Sequence, residues 1–162
     1  RGQVMLAPRI EARLLQDANV QKHEKVLEVG TGSGYMAALL AHRAQRVITV
    51  EIEPELARMA RANLQKAGVH NVEVLELDAS QGIKAEGPFD VIVLSGSVAE
   101  VPQVLLAQLK LGGRLVGIVG EEPGMSATVV TRTGETTWTT TTPWDTVAPR
   151  LLNFPAPSRF KF

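Results

Sequence analysis

Val26-Leu27-Glu28-Val29-Gly30-Thr31-Gly32-Ser33-Gly34-Tyr35 reads as a short apolar strand that runs straight into a glycine turn. After the glycines, residues 35–44 (Tyr-Met-Ala-Ala-Leu-Leu-Ala-His-Arg-Ala) are strongly helix-favouring. Strand, glycine turn and helix in this order form a ligand-binding arrangement with a mechanism. Glycines let the chain reverse without a Cβ and let the backbone approach a guest closely. The helix that follows offers oriented N–H groups. In open α/β sheets, guests sit beyond the carboxyl ends of the strands, where the strand order reverses. A purely structural glycine turn is the alternative.

Working outward, residues 46–50 form a second apolar run that ends in Glu51. Pro54 then opens a helix over 55–67, with Gly68 placed to cap it. Residues 72–77 alternate apolar and acidic side chains and end in Asp78. Residues 89–94 are continuously apolar between Gly87-Pro88 and Ser95-Gly96, the pattern of a strand buried on both faces. A helix is expected over 101–109, a turn at Gly112-Gly113 and a fifth strand over 114–119. Upstream, Ile10, Leu14 and Leu15 give residues 8–19 the spacing of an amphipathic helix. The alternation predicts a doubly wound α/β fold with a mostly parallel sheet. The tail changes character. Residues 128–132, a Thr133-Gly134 turn and residues 136–142 predict an antiparallel hairpin, its threonine-rich strand packing one face. Residues 148–162, with Pro149, Pro155 and Pro157, read as an irregular tail.

Bulk properties narrow the class. A length of 162 residues suits one domain, so 1–162 reads as a single unit. No cysteine is present, which removes disulfides, a thiolate nucleophile and a cysteine-built zinc site. Lys+Arg 17 against Asp+Glu 17 leaves no net charge, so no nucleic-acid partner is expected. No apolar run approaches the ~20 residues that span a bilayer, so no membrane partner is expected either. Cytoplasmic location is the default expectation, and oligomeric state is not legible. His23, His42 and His70 lie on different elements without metal-ligand spacing, so no metal is assigned. The opening Arg-Gly-Gln reads as a chain entered midway, lacking an N-terminal segment.

The acids decide between guests. Counting from Gly32, the loop is a loose G-x-G-x-x-A match with Ala37 in the last place, so spacing alone leaves a dinucleotide open. Glu28 stands two residues before the first glycine. A carboxylate there repels a pyrophosphate and suits a cationic amino-acid group. S-adenosylmethionine carries an ammonium and no phosphate, so Glu28 favours it. Glu51, about 20 residues after the loop, suits the ribose hydroxyls. Asp78 suits an adenine amino group, with a structural turn as its alternative.

The segment 26–35 resembles the first motif of class I methyltransferases, and is most similar to the protein-L-isoaspartate O-methyltransferase family. Gly2-Gln3 with Ala7-Pro8, Ala99-Glu100-Val101-Pro102, and Leu109-Lys110 with Gly112-Gly113-Arg114-Leu115 resemble its other motifs. The resemblance implies a Rossmann-like methyltransferase fold, S-adenosylmethionine as cofactor and a protein-repair activity. It implies that Glu28, Gly30, Thr31, Gly32, Ser33 and Tyr35 line the methionine end. It assigns Glu51 and Ile52 to the ribose and Asp78 and Ala79 to the adenine, with Ser95 beside the cofactor. The partner would be a protein, peptide or small-molecule methyl acceptor. The departures concern the acceptor side. The family's Thr-Ile-Ser is here Val4-Met5-Leu6, and its Thr-Ala-Ala after the fourth strand is Ser95-Gly96-Ser97. The helical segment that precedes the family's Gly-Gln is absent from the chain. Leu6 thus replaces the serine associated with the reacting carboxylate, leaving Ser95 and Ser97 as candidate donors. Met5 and Leu6 form an apolar wall for the acceptor or plain helix contacts. A cofactor-binding protein without catalysis is the second reading, and a NAD-dependent oxidoreductase the third.

Overall fold

The computed structural model describes residues 6–83 and 86–154. In chain order they form α1 (Pro8–Ala18), β1 (Lys25–Val29), α2 (Tyr35–Ala41), β2 (Arg46–Glu51), α3 (Pro54–Lys66) and β3 (Val72–Glu76). A 3-10 turn (Ala79–Gln81), β4 (Phe89–Val98), α4 (Gln103–Leu106), β5 (Leu109–Val119), β6 (Ser126–Arg132) and β7 (Trp138–Asp145) follow. Seven strands make one sheet in the order β3-β2-β1-β4-β5-β6-β7. β1 to β5 pair in parallel, while β5, β6 and β7 pair antiparallel. The order reverses at β1, where the chain leaves one half of the sheet for the other. The glycine turn follows that strand directly, so the expected doubly wound fold and C-terminal hairpin are what is observed.

Because strand side chains alternate between faces, the core divides in two. Val26, Val47, Val91 and Val93 face α1 and α2, packing with Leu14, Met36 and Leu40. Leu27, Ile48, Ile92 and Leu94 face the opposite layer, with Leu105, Leu106 and Leu151. The first layer is held at its base by Arg114. Its guanidinium reaches Glu24 at 2.8 and 2.9 Å and donates to the carbonyls of Ala18 and Asn19, where α1 ends. Burial pushes Glu24 up, but Arg114 and the Gln21 N–H outweigh it and hold the carboxyl below its ordinary value.

Several elements differ from expectation. β4 runs to Val98 instead of stopping at Leu94, because β5 (Ser97↔Ile118, Val98↔Val119) and the C-terminal segment supply it with backbone partners. The Ser97 N–H donates to Pro149 O and the Leu151 N–H to Ser97 O. Residues 148–154 are therefore a docked strap, with Arg150 bridged in parallel to Ser97; Pro155 and Pro157 lie outside the described residues. The helix expected over 101–109 shrinks to Gln103–Leu106, and β5 starts at Leu109. The register slips where Gly112-Gly113 was expected to turn: Phe89 pairs with Leu109, but Val91 pairs with Arg114. An apolar run next to β4 gains more from ladder hydrogen bonds than from a longer helix. Finally, Thr139 to Thr142 in β7 are exposed. β7 is the sheet's last strand, and only its end residues Trp138 and Trp144 pack on the core, so its threonines reflect extended-backbone preference and pack neither face.

Candidate cofactor cleft

Pairing register explains how the site assembles. Glu28 stands opposite Thr49 on β2 and Val93 on β4. Two residues on from each, with side chains on the same face, come Glu51 and Ser95. All four polar side chains thus emerge on the α1/α2 face at the carboxyl ends of three adjacent strands. The Glu28 carboxylate is fully buried. It accepts from Thr49 Oγ1 at 2.7 Å and from Ser95 Oγ at 2.5 Å. With its own proton committed to Glu28, Thr49 receives one from Thr31, 2.6 Å away. Burial pushes the Glu28 carboxyl up to about 8; the two hydroxyls pull the other way, and the charges of Glu11 and Glu51 add to the rise.

Glu51, also buried, secures the turn. Its Oε1 accepts from the Gly32 N–H at 3.0 Å and its Oε2 from the Glu53 N–H at 3.1 Å. The Asn63 amide of α3 donates to Ser33 O on the other side of the loop. Gly30 has φ +93°, and a Cβ there would sit 2.8 Å from Leu151 Cδ2. Gly96 meets the same leucine, also at 2.8 Å. Glycine at these two positions is what lets the C-terminal strap lie against the strand ends.

Leu6, Glu11, Glu28, Gly30, Thr31, Gly32, Ser33, Tyr35, Met36, Glu51 and Ser95 together border one cleft. Most of the residues singled out from the sequence are thus brought together. Ile52, Asp78 and Ala79 are not part of this lining. Asp78 caps the 3-10 turn, accepting from the Ser80 N–H, while the Asn153 amide of the strap donates to its other oxygen at 3.2 Å. Slight burial raises Asp78, but these donors outweigh it and hold the carboxyl below its ordinary value. Ala79 is buried in the opposite layer. Ser97 is buried too, its hydroxyl donating to Ala148 O. Neither Ser95 nor Ser97 caps the next helix, which starts after Pro102. Trp144 packs at the sheet edge, donating to Asp17 beneath the Arg13 guanidinium. His23, His42 and His70 are exposed in separate connecting segments. Val4 and Met5 lie outside the described residues.

Two residues escaped the sequence reading. Thr49 breaks an otherwise apolar strand, a signal that becomes legible only with the register. Glu11 lies one place after Ile10 and inside the stripe shared by Leu14, Leu15 and Ala18, so a charge on the apolar face was visible in the pattern.

The chemistry of the lining suits one kind of guest. Among the described residues its formal charges are carboxylates, without lysine, arginine or histidine. Such a cleft repels phosphate, attracts an ammonium or sulfonium, and offers acceptors to hydroxyl groups.

Residues 1–147 match the family model described as protein-L-isoaspartate(D-aspartate) O-methyltransferase. The protein-L-isoaspartate O-methyltransferase of Methanoculleus marisnigri is 47% identical over 119 residues, covering 74% of this chain and 54% of that protein. The chain spans just over half the length of such curated relatives. A solved protein-L-isoaspartate O-methyltransferase superposes with a TM-score of 0.79 at 25% identity, over 89% of this chain and 47% of the other. A Plasmodium falciparum protein assigned to the same enzyme class, crystallised with S-adenosyl-L-homocysteine, gives 0.81 at 22% identity over 93% and 77%. At that identity the likeness speaks to the fold.

Proposed function

The chain belongs to the protein-L-isoaspartate(D-aspartate) O-methyltransferase family, and from that premise we propose that its cleft binds S-adenosylmethionine and serves methyl transfer to a carboxylate or another small acceptor. The observation that carries this reading is the placement of Glu28 and Glu51 on one face around the glycine turn, in a lining without basic residues among those described. Glu28, Gly30, Thr31, Gly32, Ser33 and Tyr35 would hold the methionine end, with Ser95 fixing the Glu28 carboxylate. Glu51 and Ile52 would hold the ribose. Each oxygen of Glu51 keeps a lone pair beyond the N–H it already accepts. Asp78 and Ala79 would meet the adenine beyond the lining, where the Asn153 amide shares the Asp78 carboxylate.

The bound cofactor supplies an activated methyl group whose leaving group is a neutral thioether. The protein's work is then alignment and exclusion of water. A carboxylate acceptor is already ionised at neutral pH and needs an orienting donor more than a base. Leu6 borders the cleft at 4% exposure and offers none. The two candidate serines are committed elsewhere, Ser95 to Glu28 and Ser97 to Ala148 O. One missing donor costs about 1 kcal/mol, and more in a dry site.

A protein or peptide carrying isoaspartyl residues is the acceptor class that the relatives' names denote. The second reading, a cofactor-binding protein without catalysis, draws on Leu6 and the committed serines. Transfer of labelled methyl to an isoaspartyl peptide separates them. The enzyme reading expects measurable transfer by this chain, increased several-fold by Leu6→Ser. If both proteins bind cofactor and neither transfers, the silent-binder reading stands.

A further inference from the structure

Four charged side chains are buried among the described residues: Glu11, Glu24, Glu28 and Glu51. Three have partners. Glu24 meets Arg114, Glu28 meets Thr49 and Ser95, and Glu51 meets two backbone N–H groups. Glu11 has no hydrogen-bond or ion-pair partner among the described residues, although it is only 8% exposed. It sits on the apolar face of α1 with Ile10, Leu14 and Leu15, where an uncompensated carboxylate is costly. Desolvation raises its pKa. A fold that needed only packing here would be better served by an apolar residue. Glu11 also borders the same cleft as Glu28, Tyr35 and Met36, near enough for its charge to act on Glu28. Among the described residues the cleft therefore presents three acidic side chains, of which Glu51 is already tied to the turn, and no protein cation.

We propose that Glu11 is the second arm of a two-carboxylate clamp, with Glu28 as the first, that receives the α-ammonium of the cofactor's methionine end. The assignment rests on the reading of the cleft as an S-adenosylmethionine site. The two acids differ in what surrounds them. Glu28 is fixed by two hydroxyls and lies under the turn, whereas no described residue hydrogen-bonds the Glu11 carboxylate. An ammonium donates three hydrogen bonds, so it can serve both carboxylates and still reach a backbone carbonyl of the turn. Glu11 then acts as a recognition residue. It favours guests that carry the amino-acid end over those that carry the adenosyl group alone.

Calorimetric titration of wild type and Glu11→Gln with three probes tests this: S-adenosylmethionine, S-adenosylhomocysteine and 5′-methylthioadenosine, which lacks the amino-acid end. The clamp predicts that Glu11→Gln weakens the first two by about ten- to a hundredfold, the worth of one charge-assisted hydrogen bond. Binding of 5′-methylthioadenosine should stay within a factor of two. Equal weakening of all three would mean a structural role for Glu11, and no weakening would mean no role; either overturns the clamp while leaving the site in place. If wild type binds none of the three, the cofactor reading itself falls and the clamp with it. Urea denaturation of Glu11→Gln, expected to be at least as stable as wild type, separates lost recognition from lost folding.

Discussion

Replacing Glu28 by glutamine should change how stability depends on pH, in a direction the burial of that carboxylate dictates. In the folded protein the carboxyl is pushed up to about 8, against an ordinary value of 4.5. Between those values the folded chain holds a proton that the unfolded chain has released. Rising pH therefore favours the unfolded state. The stability is full below about 4.5 and is lost progressively until the folded value is passed. Each unit within that window costs about 1.4 kcal/mol. From pH 5.5 to 7.5 the wild type should lose about 2–3 kcal/mol through this one group. A glutamine holds no titrating proton, and its amide can still serve the hydroxyls of Thr49 and Ser95. The Glu28→Gln stability curve should be flatter by that amount over the same interval. Glu11 titrates with the same sign, but it is present in both chains and largely cancels from the difference.

Equilibrium urea unfolding, followed by far-ultraviolet circular dichroism at pH 5.5, 6.5 and 7.5, measures the difference directly. The reasoning fails if wild type and Glu28→Gln lose stability in parallel. That result would mean that Glu28 is already ionised in the folded chain at pH 5.5, and that the three strand ends solvate its charge.

Three further outcomes follow from named contacts. Glu51→Ala should weaken S-adenosylmethionine binding by about a hundredfold or more, since two charge-assisted hydrogen bonds to the ribose are worth about 3 kcal/mol or above; an unchanged calorimetric Kd would remove Glu51 from the site. Gly30→Ala should cost on the order of 1–3 kcal/mol through its left-handed backbone alone, with the added methyl meeting Leu151. In urea unfolding, Leu151→Ala in the same chain should return only the part due to that contact. Arg114→Ala should cost about 3 kcal/mol by leaving Glu24 without its forked partner. The folded pKa of Glu24 is depressed, so its stabilisation is present above the ordinary carboxylate value and fades as pH falls through the folded one. Arg114→Ala should therefore flatten the acid limb of the stability curve, and an unaltered limb would count against the pair.

The glycine-turn half of the cleft was legible because its signals are local. The turn at Gly30, Gly32 and Gly34 follows an apolar strand directly, and Glu51 ends the next strand, so period and spacing suffice. What escaped depends on partners far along the chain. Ser95 and Ser97 looked like loop residues after an apolar run; they belong to β4 because Ile118 and Val119 of β5, and Pro149 and Leu151 more than 50 residues away, supply ladder partners. The helix expected to run to Leu109 yields to a strand, since a free edge of β4 outweighs local helix preference. The threonines of β7 carry an extended-backbone signal that says nothing of which face is covered. Glu11 is the instructive case. A charge inside an apolar helical stripe was readable as an anomaly, but its meaning needed the cleft beneath it.

An acid-lined cleft should prefer an adenosyl sulfonium to a pyrophosphate. Thermal unfolding of this chain with S-adenosylmethionine, S-adenosylhomocysteine or NAD, each at matched concentration, compares the guests in one experiment. A guest at a hundred times its Kd adds about 2.7 kcal/mol to the folded state, a shift of several degrees for a domain of this size. That shift is expected with the first two and none with NAD. Stabilisation by NAD alone, or by none of the three, would contradict it.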